Sequence, residues 1–248
     1  MKIYFLGTNG WYSSALGNTT CSLIDSNSHY IILDAGDGLH KLDRYIIEKS
    51  KPIILFLTHT HLDHISGLHT LSKFRFEQGI TIFCDKGTQN VLDTIIRHPY
   101  TSPFSHIPMD IDYFEFEEGH HSKQIDFTAK YLLHSDKCMG YRINIENKII
   151  AYCTDTGVCD NLYSLAKNAD LLISECSYKP GQEKWGWPHL KPEEIATVAK
   201  KSNVKQLYLT HFDASIFETK NDRRRARNKA RTIFQSTYIA YDDSEVFV

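Results

Sequence analysis

The apolar run Ile53-Ile54-Leu55-Phe56-Leu57 ends directly in Thr58-His59-Thr60-His61-Leu62-Asp63-His64. Three imidazoles and a carboxylate within six consecutive positions constrain this chain more than any other feature. Five apolar residues in a row specify a strand buried on both faces. The polar segment that follows leaves it carrying ligand-type side chains on a fixed base. Imidazole nitrogen and carboxylate oxygen are the donors that zinc takes in catalytic sites, where one coordination position stays open for water. The competing explanation, a solvated histidine-rich loop, accounts poorly for that order of residues with Gly67 just beyond it. A bound metal is expected, and two ions rather than one.

Three later segments repeat the pattern of a strand delivering a polar residue. Tyr131-Leu132-Leu133 leads to His134, Ile149 to Thr154 leads to Asp155 before Gly157, and Gln206 to Thr210 leads to His211. Each is weak alone, since a histidine at a strand end is usually surface and Asp before Thr-Gly is usually a turn residue. The order His-x-His-x-Asp-His, with these later positions, resembles the signature of the metallo-β-lactamase fold superfamily. The resemblance implies that His59, His61 and His134 hold one ion, that Asp63, His64 and His211 hold a second, and that Asp155 bridges both. Two ions ~3.5–4 Å apart can activate water and clamp a phosphoryl centre. Zinc is the expected metal, with manganese the alternative. His120 and His121 compete with His134, but they follow the acidic stretch Glu115 to Glu118 and read as a solvated turn. Asp34, in Leu33-Asp34-Ala35-Gly36, fits either a turn or a buried support for a ligand histidine.

The resemblance implies a four-layer αββα sandwich, two mixed sheets with helices outside, as one metallo-hydrolase domain over residues 1–248. Local pattern agrees with an α/β chain. Short β-rich runs are expected at Lys2-Leu6, Ser22-Asp25, Tyr30-Leu33, Ile53-Leu57, Thr81-Cys84, Tyr131-Leu133, Tyr141-Ile145, Lys148-Tyr152, Leu171-Ser174 and Gln206-Leu209. Helices are expected over Leu39-Lys49, Gly67-Arg75, Thr88-Arg97, Cys159-Lys167, Pro192-Lys201 and Asp222-Thr237. With 28 basic and 30 acidic residues, the near-zero net charge gives no general pull toward nucleic acid or anionic membrane. No apolar run approaches a membrane span, and the opening residues read as a strand rather than a signal peptide. Six cysteines without a Cys-x-x-Cys pair suit reduced thiols and a cytoplasmic location. Monomer and homodimer both stay open.

Leu172 to Ser177 and Pro188-His189-Leu190-Lys191-Pro192 look like the phosphodiesterase branch, which contains ribonuclease Z and the phosphoribosyl cyclic phosphodiesterases. There the position of His189 protonates the leaving alkoxide and that of Glu175 orients it; Asp63 completes the expected catalytic set. Expelling an alkoxide needs a proton donor, and a positioned histidine contributes typically ~10²–10⁴-fold. Ribonuclease Z carries a long arm, between the positions of His134 and Asp155, that grips transfer RNA. That interval here holds only two strands and a hairpin. The expected substrate is therefore a small phosphodiester, cyclic or nucleotide-derived, or short nucleic acid, attacked by metal-activated water. The alternatives are a ribonuclease Z-like endonuclease on tRNA precursors, and a lactone, thioester or lactam hydrolase. A silent relative used for binding is disfavoured, because no ligand position is lost. Trp185 and Trp187 could stack on a base, and the run Arg223, Arg224, Arg225, Arg227, Lys229, Arg231 reads mainly as a solvated helix face.

Overall fold

A computed structural model describes residues 1–184 and 186–248. Two seven-stranded mixed sheets lie face to face. In the first, the strand order is Ser244–Phe247, Lys2–Gly7, Cys21–Asp25, Tyr30–Leu33, Ile53–Phe56, Ile80–Asp85 and Ile111–Phe116. In the second it is Thr237–Ile239, Gln206–Thr210, Leu171–Glu175, Lys148–Cys153, Met139–Ile145, Asp126–Tyr131 and Gly119–Ser122. Each sheet is antiparallel at one side and parallel at the other. The expected αββα architecture is the observed one.

The layering follows from side-chain alternation along buried strands. Ile54 and Phe56 face the interior between the sheets, with Phe5, Phe83, Phe127, Tyr141 and Ile173. Ile53 and Leu55, pointing the other way, pack with Leu39, Leu68 and Leu71 under the outer segments. Leu172, Leu207 and Leu209 do the same on the second sheet beneath Pro192–Lys201 and Lys220–Arg231. Among the described residues, no helix is long and apolar enough to cross a membrane.

Several local expectations need correction. Leu39-Lys49 and Gly67-Arg75 are replaced by 3-10 segments, Asp37–Arg44 and Ser66–Lys73. These two segments pack on each other through backbone. Gly67 N–H donates to Ala35 O at 2.8 Å, and a Cβ on Gly67 would stand 2.1 Å from Gly36 O. Tertiary docking therefore sets their geometry rather than helical periodicity. The last helix is Lys220–Arg231, because a Thr219–Asp222 capping box starts it two residues before Asp222. The stretch containing Glu115 forms the strand Ile111–Phe116, and His120 and His121 lie on the edge strand Gly119–Ser122 rather than in a solvated turn. Charged residues on edge strands hide the β pattern while protecting the exposed edge. The strand expected at Tyr131-Leu133 ends at Tyr131, so His134 stands in the loop after it.

The parallel strands position the chemistry. Tyr30–Leu33 and Ile53–Phe56 in one sheet, and Lys148–Cys153, Leu171–Glu175 and Gln206–Thr210 in the other, end at one rim of the sandwich. Crevices beyond the carboxyl ends of parallel strands are where such sheets bind ligands.

Candidate active site

Asp34, Thr58–His64, Asp155, Glu175 and His211 all follow or end those strands. Three of them turn the chain through left-handed backbone: Asp34 (φ 59°), Asp155 (φ 52°) and His211 (φ 49°). Non-glycine residues seldom occupy that region, and they cluster where a site requires it. The turn aims each side chain back across the rim.

Donor atoms of His59, His61 and His134 lie within 4.8 Å of one another, as do those of Asp63, His64 and His211. Asp155 groups with His59 and His64, and also with His134 and His189. It therefore stands between the two sets. Its Oδ2 is 2.9 Å from His64 Nε2 and 3.2 Å from His211 Nε2. Asp63 Oδ2 lies 3.3 Å from His211 Nε2. All seven expected ligand positions come together. His120 and His121 do not join them: His120 pairs with Asp126 at 3.1 Å and His121 with Glu117 O at 2.8 Å.

The outward ring nitrogens fix the tautomers. His64 Nδ1 donates to the buried Asp34 Oδ2 at 2.9 Å. Asp34 also accepts from Thr58 N at 2.8 Å, Thr58 Oγ1 at 3.0 Å and Tyr152 OH at 2.8 Å, so it is a wired support rather than a simple turn residue. His59 Nδ1 meets Thr58 Oγ1 at 3.0 Å, and His211 Nδ1 meets Ser177 Oγ at 3.3 Å. With Nδ1 engaged outward, each Nε2 is turned toward the cluster, where it can hold a proton or a cation. His64 Nε2 and His211 Nε2 face each other at 3.1 Å, and the buried His59 Nε2 has no hydrogen-bond partner among the described residues. Ring nitrogens and carboxylate oxygens converging with nothing to bond but each other suit divalent cations. The residues present fit the metals that the resemblance implies.

Electrostatics point the same way. Burial drives His59 well below its usual range, aided by the neighbouring His64, and so keeps its imidazole neutral. Burial opposes charge on His64 too, but Asp155, Asp34 and Asp63 outweigh it and raise His64 well above its usual range. A field that holds a proton there favours any cation. Burial raises Asp155, yet His211 and His64 hold it well below the ordinary carboxylate range.

Glu175 and His189 form a second arrangement at the same cavity. Glu175 is fully buried, and its Oε1 accepts from His189 Nδ1 at 2.9 Å while Oε2 accepts from Leu190 N at 3.1 Å. The His189 ring centre is 5.4 Å from that of His134. Burial would lower His189, but Glu175 overcomes it and lifts the imidazole to about 9. A cavity of about 740 Å³ is lined by His61, Asp63, His134, Asp155, His189 and His211, and by Trp11 and Trp187.

Sequence reasoning missed Trp11, Tyr152 and Ser177. Trp11 follows the two-residue strand Asn9–Gly10, which pairs with Phe212–Asp213, and nothing in its local sequence marks it. Trp187 lines the cavity as a stacking candidate should, whereas Trp185 lies outside the described residues. Arg223 departs from the solvated reading of its run: it is buried, stacks over Phe212 at 4.6 Å, and donates to Thr8 Oγ1 at 3.0 Å. Arg224 and Arg225 are exposed as expected.

A family model described as a β-lactamase superfamily domain matches residues 29–212, most of the chain. The chain belongs to that superfamily. A relative named ribonuclease Z from Bacillus velezensis is 26% identical over 310 aligned positions, covering 100% of this chain and 99% of the relative. Among solved structures, the metallo-β-lactamase fold protein YhfI from Bacillus subtilis is similar with a TM-score of 0.80 and 23% identity, covering 99% of this chain and 98% of that one. Human tRNase Z, short form, is similar with a TM-score of 0.77 and 20% identity, covering 100% and 99%. Within the superfamily, the chain is similar to metal-dependent hydrolases of the phosphodiesterase branch.

Proposed function

We propose that this chain is a dinuclear, zinc-dependent phosphodiesterase of ribonuclease Z type that cleaves RNA. The comparisons favour this reading over the small cyclic or nucleotide-derived substrate expected from the sequence. The observation that carries the chemistry is the Glu175–His189 pair standing over the His/Asp cluster in one cavity. His59, His61 and His134 would hold one ion, Asp63, His64 and His211 the other, and Asp155 would lie between them. Ions bound there supply Lewis acidity toward a phosphoryl oxygen and lower the pKa of water.

The chain's own groups supply the rest. Glu175 commits His189 Nδ1, which fixes the ring and leaves Nε2 for the departing oxygen. His189 delivers its proton there, so an alkoxide leaves as an alcohol. Asp34 and Ser177 hold the outer nitrogens of His64 and His211, which keeps both rings aimed at the rim. The same reading takes residues 1–248 as one metallo-hydrolase domain, since both sheets share an apolar layer. It also takes the location as cytoplasmic, where the six unpaired thiols stay reduced.

One observation favours the small-substrate reading. Between His134 and Asp155 the chain forms only the hairpin Met139–Ile145 with Lys148–Cys153, with no room for a gripping arm. Metal-loaded protein assayed on a tRNA precursor with a 3′ trailer, an unstructured short RNA and a 2′,3′-cyclic nucleotide separates the two. Cleavage of the RNAs at least tenfold more efficiently than the cyclic ester is expected. Turnover of the cyclic ester alone would return the assignment to a small phosphodiester.

A further inference from the structure

Trp11 occupies a conformation that its surroundings do not reward. Its φ is 70°, left-handed backbone that glycine or asparagine takes readily and a bulky aromatic does not. The indole recovers little by packing, being 66% exposed with Tyr12 edge-on to it at 5.2 Å between ring centres. Nor is the exposure that of a loose loop. Asn9 Nδ2 reaches Tyr12 O, Ser14 Oγ and Gly17 O at 2.9–3.1 Å, and Asn9 Oδ1 accepts a hydrogen bond from the buried Arg223 guanidinium. Gly10 sits so close to His211 that a Cβ there would be 2.5 Å from the ring. The Trp11 N–H donates to Asp63 Oδ2 at 2.7 Å. A fixed loop thus presents an exposed aromatic face at the catalytic cavity, which His189 also lines, and ties it to the Asp63 side of the cluster.

We propose that Trp11 is the platform on which an unpaired nucleobase of the substrate stacks, on the side of the scissile phosphate that stays with the cluster while the leaving group departs toward His189. This rests on the phosphodiesterase reading and narrows it to substrates with an unstacked base beside the cut. Exposed aromatic faces bind bases with little sequence preference, because every base offers a π-face. The backbone strain is repaid in part by the bond to Asp63, and the exposed indole gains a partner only when such a ligand is present.

The test compares thymidine 5′-(p-nitrophenyl) phosphate with methyl p-nitrophenyl phosphate, which share a leaving group and differ in the nucleoside. Trp11→Ala should lower kcat/KM on the thymidine ester more than on the methyl ester by roughly 5- to 160-fold, the range of one base stack. Trp11→Phe should restore part of that ratio. A second readout is independent of turnover: thymidine 5′-monophosphate should quench tryptophan fluorescence where ribose 5-phosphate does not, and Trp11→Phe should remove most of that quench. An equal loss on both esters, with the quench intact in Trp11→Phe, would reduce Trp11 to a support for Asp63 and overturn the inference while leaving the phosphodiesterase reading in place. Hydrolysis of neither ester by the metal-loaded wild type would sink both.

Discussion

At the scale of single residues, the site divides into donors that converge on the rim and groups that hold those donors still. His189 belongs to neither class: Glu175 holds its Nδ1 at the cavity, and its proposed task is to protonate the departing oxygen. Its removal should therefore depend on the leaving group. His189→Ala is expected to slow cleavage of RNA, with its alkoxide leaving group, by about 10²–10⁴-fold. A p-nitrophenyl ester, whose phenolate leaves unaided, should lose less than about tenfold. Single-turnover rates on both substrates check this, and equal losses would remove His189 from the acid role. Glu175→Gln keeps the shape but not the charge that sustains the imidazolium, and should follow the same pattern with a smaller loss.

How far these residues can be read from sequence depends on how local their signal is. His59, His61, Asp63 and His64 are legible because four donors fall in six positions after a strand. His134, Asp155 and His211 are legible only through the family's order. Asp34 shows half of its role: its place after Leu33 marks a strand end, but the bonds from Thr58, Tyr152 and His64 arise only when both sheets meet. Ser177 and Trp11 carry no local mark at all. Their roles are set by His211 and Asp63, 34 and 52 residues away in the chain.

At the scale of elements, the parallel strands are the most legible part, because apolar runs such as Ile53 to Leu57 allow little else. The two 3-10 segments are the least. Their amphipathic pattern matches a helix, while their geometry follows from backbone contact at Gly36, Gly67 and Ala35. That contact makes a prediction. Gly67→Ala places a methyl against the Gly36 carbonyl, where backbone rather than a flexible side chain must yield. Overpacking of this kind costs about 1–3 kcal/mol. Chemical denaturation should show a lower midpoint with an unchanged slope. Because Asp34 and Ala35 lead into the same junction, metal affinity should fall with it. A Gly67→Ala protein of wild-type stability would show that the junction is looser than its spacing implies.

For the whole molecule, two sheets meeting over one apolar layer bring the ends of five parallel strands to a common rim, and seven donors arrive there from segments separated by up to 152 residues. The alignment of 310 positions with the Bacillus velezensis ribonuclease Z leaves at least 62 without a counterpart in these 248 residues. The chain thus keeps the sandwich and its rim with less around them. Periodicity in the sequence supports an α/β chain but does not specify that topology, because face-to-face packing depends on contacts between strands far apart in the chain. In the proposed function, the rim binds two divalent ions and cleaves phosphodiesters with them. The most direct measurement is metal content by plasma emission spectrometry alongside RNA cleavage, for wild type and Asp155→Ala, before and after chelation. Two ions per wild-type chain are expected, with activity that is lost on chelation and restored by zinc or manganese, and a folded Asp155→Ala protein with fewer ions and at least a hundredfold less turnover. Full cleavage by chelated wild type, or by Asp155→Ala, would contradict it.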